Sequence, residues 1–95
     1  KFINMNDKLL EDWRKQIDKL DDELLDILAK RLDIVREIGK AKKARGIKLL
    51  DEKRWNEVLQ SKFAKAHSLN LSKRFIQKLY DLIHKYSLEL ESSNK

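Results

Sequence analysis

Apolar residues recur at Leu10, Trp13, Ile17, Leu20, Leu24, Ile27, Ile34, Ile38 and Ala41, three or four positions apart apart from one wider gap. That spacing is the signature of a helix with one buried face, and Leu25, Leu28, Leu32 and Val35 widen the stripe. Asn6 or Asp7 is suited to cap its start, and Gly46 is a natural stop. The pattern therefore predicts a first helix over about residues 7–45. Gly39 inside it costs about 1 kcal/mol relative to alanine, which fits either a close backbone approach or a tolerated glycine. Asp51 can cap a second helix, about 51–67, with Trp55, Val58, Leu59, Phe63 and Ala66 on one face. Ser68 to Leu71 reads as a short connector. Ser72 can cap a third helix, about 72–92, carrying Phe75, Ile76, Leu79, Leu82, Ile83, Tyr86 and Leu90.

Composition agrees with an all-α fold. The 95 residues hold no proline and only two glycines, too few turn residues for a compact β domain. One domain over residues 1–95 is all that this length supports. The absence of cysteine excludes disulfides, thiolate metal sites and cysteine nucleophiles. It fits a reducing compartment, and a cytoplasmic location is the expectation. No apolar run is long enough to span a membrane, and no signal-peptide pattern is present.

Charge adds a direction. The net charge of +6 favours anionic partners. From Asp7 to Asp26 there are eight acids and four bases, and from Ile27 to Arg45 two acids and seven bases. This gradient complements one continuous helix dipole, which explains much of the basic excess in that stretch.

Helix length then predicts assembly. A helix of about 40 residues is about 60 Å long, whereas a globule of this chain length is roughly 32 Å across. Half of the first helix is expected to project from its own domain with its apolar stripe intact. An intertwined homodimer with antiparallel long helices covers that stripe. A parallel coiled coil is the competing arrangement, and the two following helices argue against it.

Some polar residues interrupt the pattern. Arg31 occupies the heptad position held elsewhere by Leu10, Ile17, Leu24 and Ile38. A cation on an apolar seam is costly unless an anion meets it. Lys42 lies eleven residues later, about 16 Å along the same face. Asp51 and Arg54 stand at the start of the second helix, and Ser87 and Glu91 form an i, i+4 pair in the third. Each taken alone reads as a solvated or salt-bridged side chain; together they point to a basic pocket for a small dianion. Arg14 faces the same way as Lys42 but is about 42 Å distant on the helix. Only in an antiparallel dimer can the partner's copy complete such a pocket.

These residues stand in a recognisable order. Trp13-Arg14-Lys15-Gln16-Ile17-Asp18-Lys19-Leu20-Asp21, Leu24 to Arg31, Ile38-Gly39-Lys40-Ala41-Lys42, Asp51-Glu52-Lys53-Arg54 and Leu82 to Ser87 resemble the all-helical chorismate mutases. The resemblance runs from about Leu10 to Glu91. Its R-x-x-I-D-x-x-D opening followed by I-G-x-x-K is specific in combination.

The resemblance implies intertwined dimers of three-helix protomers whose substrate is chorismate. It implies that Arg14 of one chain joins Arg31, Lys42 and Arg54 of the other around the two substrate carboxylates. Lys42 is then expected at the ether oxygen of the breaking bond, Asp51 near the ring hydroxyl, and Ser87 near a carboxylate. The catalytic set is Lys42, Glu91 and Arg31. The reaction is the Claisen rearrangement of chorismate to prephenate in aromatic amino-acid biosynthesis, with no metal and no cofactor. Fusion to another enzyme of that pathway is common among such relatives.

Two positions depart from the pattern. The residue after Arg54, commonly a glutamate that meets the substrate hydroxyl, is Trp55. Either Trp55 packs into the core and Asp51 alone serves the hydroxyl, or the chain is a lyase that converts isochorismate to salicylate and pyruvate. Glu91 stands where many members have glutamine facing the ether oxygen. It can donate there only when protonated, so activity is expected to fall as pH rises. His67 and His84 are too few and too ill-matched in spacing for a metal site. Tyr80 and Tyr86 read as packing residues. A nucleic-acid or membrane module is disfavoured because the bases are not gathered on one face among aromatics. A purely structural oligomerisation domain leaves Arg31 unexplained, and a regulatory domain that binds without turnover stays open.

Overall fold

A computed structural model describes residues 5–93 of the chain. Three helices follow one another: α1, Met5–Arg45; α2, Glu52–Ser68; and α3, Lys73–Ser93. No strand occurs among the described residues. The bounds lie within two residues of those expected from the sequence. Helix α1 is described from Met5, so Asn6 and Asp7 sit in its first turn rather than at a cap.

The helix ends have local causes. Gly46 has φ of +65°, and its N–H donates to the Lys43 carbonyl at 3.3 Å. The next N–H, of Ile47, donates to the Lys42 carbonyl at 2.8 Å. This pair of bonds is a Schellman closure, which needs a left-handed residue after the helix. Open space surrounds the Gly46 Cα on the side where a Cβ would stand. Gly46→Ala is therefore expected to cost about 1 kcal/mol through backbone strain alone. Urea unfolding should show that loss, with Gly46→Asn losing less.

Helix α2 begins at Asp51, whose Oδ1 accepts from the Arg54 N–H at 3.0 Å. It ends in a second Schellman closure, with Asn70 at φ of 60° and the Leu71 N–H donating to the Ala66 carbonyl at 2.8 Å. Asparagine is among the few non-glycine residues that enter this region readily. Ser72 Oγ then accepts from the Phe75 N–H at 3.2 Å and caps α3.

The chain divides within α1 into two units, Lys1–Asp33 and Ile34–Lys95. In the first unit every described side chain from Asn6 to Ile27 is exposed, including Ile17, Leu24 and Ile27 of the apolar stripe. Leu28, Arg31 and Leu32 are half-buried. In the second unit α2 packs on α3. Its buried apolar residues are Val35, Leu59, Ala66 and Ile76.

Helix α3 carries two stripes. Ile76, Tyr80, Ile83, Ser87 and Glu91 are buried or half-buried on one, while Phe75, Leu79, Leu82 and Tyr86 remain exposed on the other. Tyr86 thus packs less than its pattern implied. Surface ion pairs such as Lys15–Glu11 at 3.7 Å and Lys40–Glu37 at 3.3 Å link exposed side chains and add little stability.

Candidate functional site

The closure at Gly46 sets up the main polar cluster. It turns the chain just after Lys42, and the following segment returns so that the Leu49 carbonyl accepts from Lys42 Nζ at 2.6 Å. The same ammonium lies 2.9 Å from Glu91 Oε1 of α3. Lys42 is half-buried and Glu91 buried. Glu91 Oε1 receives no well-aligned hydrogen bond, so the charge of Lys42 is what offsets its desolvation. Ser87 is buried one turn before Glu91, and these two are the buried polar residues of the described chain.

Lys42 also lies in the last turn of α1 with Lys43 and Arg45. Cations there meet the negative end of the helix dipole. A cleft of about 480 Å³ is lined by Lys42, Ile47, Lys48, Leu50, Asp51 and Glu52. A second, of about 370 Å³, takes Glu91 with Lys43, Ile47 and Leu49 among its walls. The Lys42–Glu91 pair therefore contributes one member to each of two clefts that share Ile47.

Contacts in the second unit join three of the residues expected from the sequence: Lys42 to Glu91 directly, and Lys42 to Asp51 across a shared cleft. Arg54 is exposed in the first turn of α2 and tied to Asp51 through its backbone. Arg14, exposed, and Arg31, half-buried, belong to the first unit. The carboxylate of Asp51 serves as a helix cap, a use that its sequence position already implied.

Trp55 is half-buried, its indole stacked on the His84 imidazole with centroids 3.9 Å apart and planes 11° from parallel. His84 precedes Ser87 by three positions and Glu91 by seven, so all three lie on one face of α3. Reading Trp55 as a packing residue named no partner for it. The signal was there in the i, i+3, i+7 spacing from His84, but nothing in the sequence pairs α2 with α3 at that level.

Among the described residues, no group of three or more histidine, cysteine or acidic side chains is placed to hold a metal ion. No helix among them is long and apolar enough to cross a membrane.

A family model described as chorismate mutase type II matches residues 13–92. The T-protein of Haemophilus influenzae is 32% identical over 80 residues, which is 84% of this chain and 20% of that protein. The T-protein of Enterobacter agglomerans is 38% identical over 64 residues, 67% of this chain and 17% of that protein. The chain thus spans about a fifth of the length of the curated relatives it matches.

Proposed function

This chain belongs to the chorismate mutase type II family, and we propose that it rearranges chorismate to prephenate in a cationic pocket centred on Lys42. The observation that carries this reading is the Lys42–Glu91 pair at 2.9 Å, in which a half-buried ammonium meets a carboxylate buried one turn from Ser87. Burying the Glu91 carboxylate beside that half-buried ammonium has a cost in desolvation. A site that must hold an ammonium at a fixed point accounts for that cost.

The chemistry asks for little else. Chorismate carries two carboxylates, and its enolpyruvyl arm must fold over the ring before the new carbon–carbon bond can form. Arg31 and Arg54 with Lys42, and Arg14 from a second copy, grip the carboxylates and hold that conformer. As the carbon–oxygen bond lengthens, negative charge grows on the ether oxygen. The Lys42 ammonium stabilises that charge more in the transition state than in the substrate. Asp51 meets the ring hydroxyl and Ser87 a carboxylate. The exposed stripe of α1, from Leu10 through Ile27, is the surface that a second copy covers in an intertwined dimer. The relatives' greater length is compatible with a mutase domain joined to another enzyme of the same pathway.

Glu91 tunes the pocket. When ionised, it repels the growing charge and also engages the ammonium meant to stabilise it. When protonated, it can donate to the ether oxygen. Glu91→Gln keeps a donor without the charge, so this variant should turn chorismate over faster than the natural chain, a difference that a side-by-side prephenate assay reads.

The founding experiment is a product assay with chorismate and isochorismate offered separately. Prephenate from chorismate supports the mutase. Salicylate and pyruvate from isochorismate, with little prephenate, would replace it with a lyase. Turnover of neither, with a chorismate analogue still raising thermal stability, would leave a binding domain.

A further inference from the structure

A lysine ammonium stands at the end of a flexible four-carbon stem, so it is a fixed charge only where its surroundings hold it. Two groups meet Lys42 Nζ, and they do different things. Glu91 supplies attraction without direction: its Oε1 lies 2.9 Å from the nitrogen but receives no well-aligned hydrogen bond. The Leu49 carbonyl supplies direction, accepting from the same nitrogen at 2.6 Å. An ammonium carries three N–H groups at tetrahedral angles. Fixing one of them on Leu49 restricts the directions of the other two.

The segment that carries this carbonyl is pinned at both ends. The Ile47 N–H donates to the Lys42 carbonyl at 2.8 Å, and the Gly46 N–H donates to the Lys43 carbonyl at 3.3 Å. At the other end Asp51 caps α2 through Oδ1, and its own carbonyl accepts from the Trp55 N–H at 2.9 Å. One short linker therefore grips Lys42 twice, at its backbone oxygen through Ile47 and at its ammonium through Leu49. Lys42 in turn lines the cleft of about 480 Å³ that it shares with Asp51.

We propose that Leu49 is a positioning residue for the rearrangement, its main-chain carbonyl holding the Lys42 ammonium so that a second N–H is aimed at the ether oxygen of chorismate. The proposal rests on the mutase reading and gives no group of the substrate to a new residue. The acting atom belongs to the backbone, so no pattern of polar side chains announces it.

The test replaces the amide between Leu49 and Leu50 by an ester, through chemical ligation of the 95-residue chain. An ester carbonyl is a weaker acceptor, and every side chain is kept. The Leu50 N–H that is lost takes part in no hydrogen bond among the described residues. A control ester between Ile47 and Lys48 weakens a carbonyl that has no such contact with Lys42. The Leu49 ester should lower kcat about tenfold and leave KM within about twofold, the split expected when stabilisation made only in the transition state is lost. The control ester should match wild type. In a Lys42→Met chain the Leu49 ester should change kcat by less than about twofold, because no ammonium is left to position. Thermal unfolding confirms that each chain is folded. Unchanged kcat in the Leu49 ester would overturn the proposal, as would an equal loss in the control or a loss that persists in Lys42→Met. A gain would overturn it too, because the carbonyl would then compete with the substrate for the ammonium. A wild-type chain that makes no prephenate brings down the mutase reading itself, an outcome that none of the ester results imitates.

Discussion

Replacing Lys42 by methionine is expected to lower mutase kcat/KM by about a thousandfold, the scale seen when a fixed donor is removed from a developing oxyanion. The same substitution should destabilise the fold, for a separate reason. Lys42 Nζ lies 2.9 Å from Glu91 Oε1 and 2.6 Å from the Leu49 oxygen. Taking it away leaves a buried carboxylate facing a carbonyl with no positive charge between them. An uncompensated buried acceptor of that kind costs about 1–3 kcal/mol. Lys42→Met/Glu91→Met removes both charges and fills the space with apolar atoms, so stability should return. Activity should not return, because the ammonium is still missing. Urea unfolding and the mutase assay on the three proteins separate the two roles. A single mutant that retains a tenth of wild-type activity would remove Lys42 from the ether oxygen. A double mutant as unstable as the single would mean that Lys42 is not what holds Glu91.

The parts of the fold legible in the sequence are those with short-range causes. Gly46, Asp51 and Ser72 each act within four residues of themselves, through a left-handed backbone or a side chain that meets a nearby N–H. Their roles could be read directly. Asn70 has an equally local role, yet asparagine enters the left-handed region less regularly than glycine, and its neighbours Ser68 and Ser72 offered more familiar turn signals. The two stripes of α3 were less legible. Phe75, Ile76, Leu79, Leu82, Ile83 and Tyr86 are all apolar, and periodicity alone does not say which stripe meets α2 and which stays exposed.

Legibility of the site followed a similar rule. Lys42 and Glu91 could be named from their order in a recognisable pattern, but their pairing joins residues far apart in sequence and depends on how α3 lies beside the end of α1. The same holds for Trp55 and His84. Tryptophan was conspicuous because it displaced an expected carboxylate, whereas a lone histidine on a half-apolar face carried no chemical signal until its ring was placed on the indole. Exposure of the α1 stripe adds the remaining point. Leucine and isoleucine at 55–64% exposure, as at Ile17, Leu20, Leu24 and Ile27, are poorly served by water. In the proposed dimer, the antiparallel pairing that would cover them is also the one that would bring Arg14 to a second Lys42.

That coincidence leads to the second large effect, which is restoration rather than loss. Arg14→Ala and Lys42→Met should each be nearly inactive when purified alone. Each Arg14→Ala chain keeps its own Arg31, Lys42, Asp51, Arg54, Ser87 and Glu91, and lacks only the arginine that the proposed dimer takes from a partner. Each Lys42→Met chain still carries Arg14 to give. When the two proteins are unfolded together and refolded as a mixture, random pairing makes half of the dimers mixed, and one of the two sites in each is complete. The mixture should therefore recover about a quarter of wild-type activity, because a two-fold dimer builds two equivalent composite sites. Sedimentation of the mixture should show dimers throughout. If dimers form but the mixture stays as inactive as its components, Arg14 is not exchanged between chains, and the pocket must be completed within one chain. If sedimentation shows monomers while activity is retained, the exposed stripe of α1 needs another occupant and the intertwined arrangement is wrong.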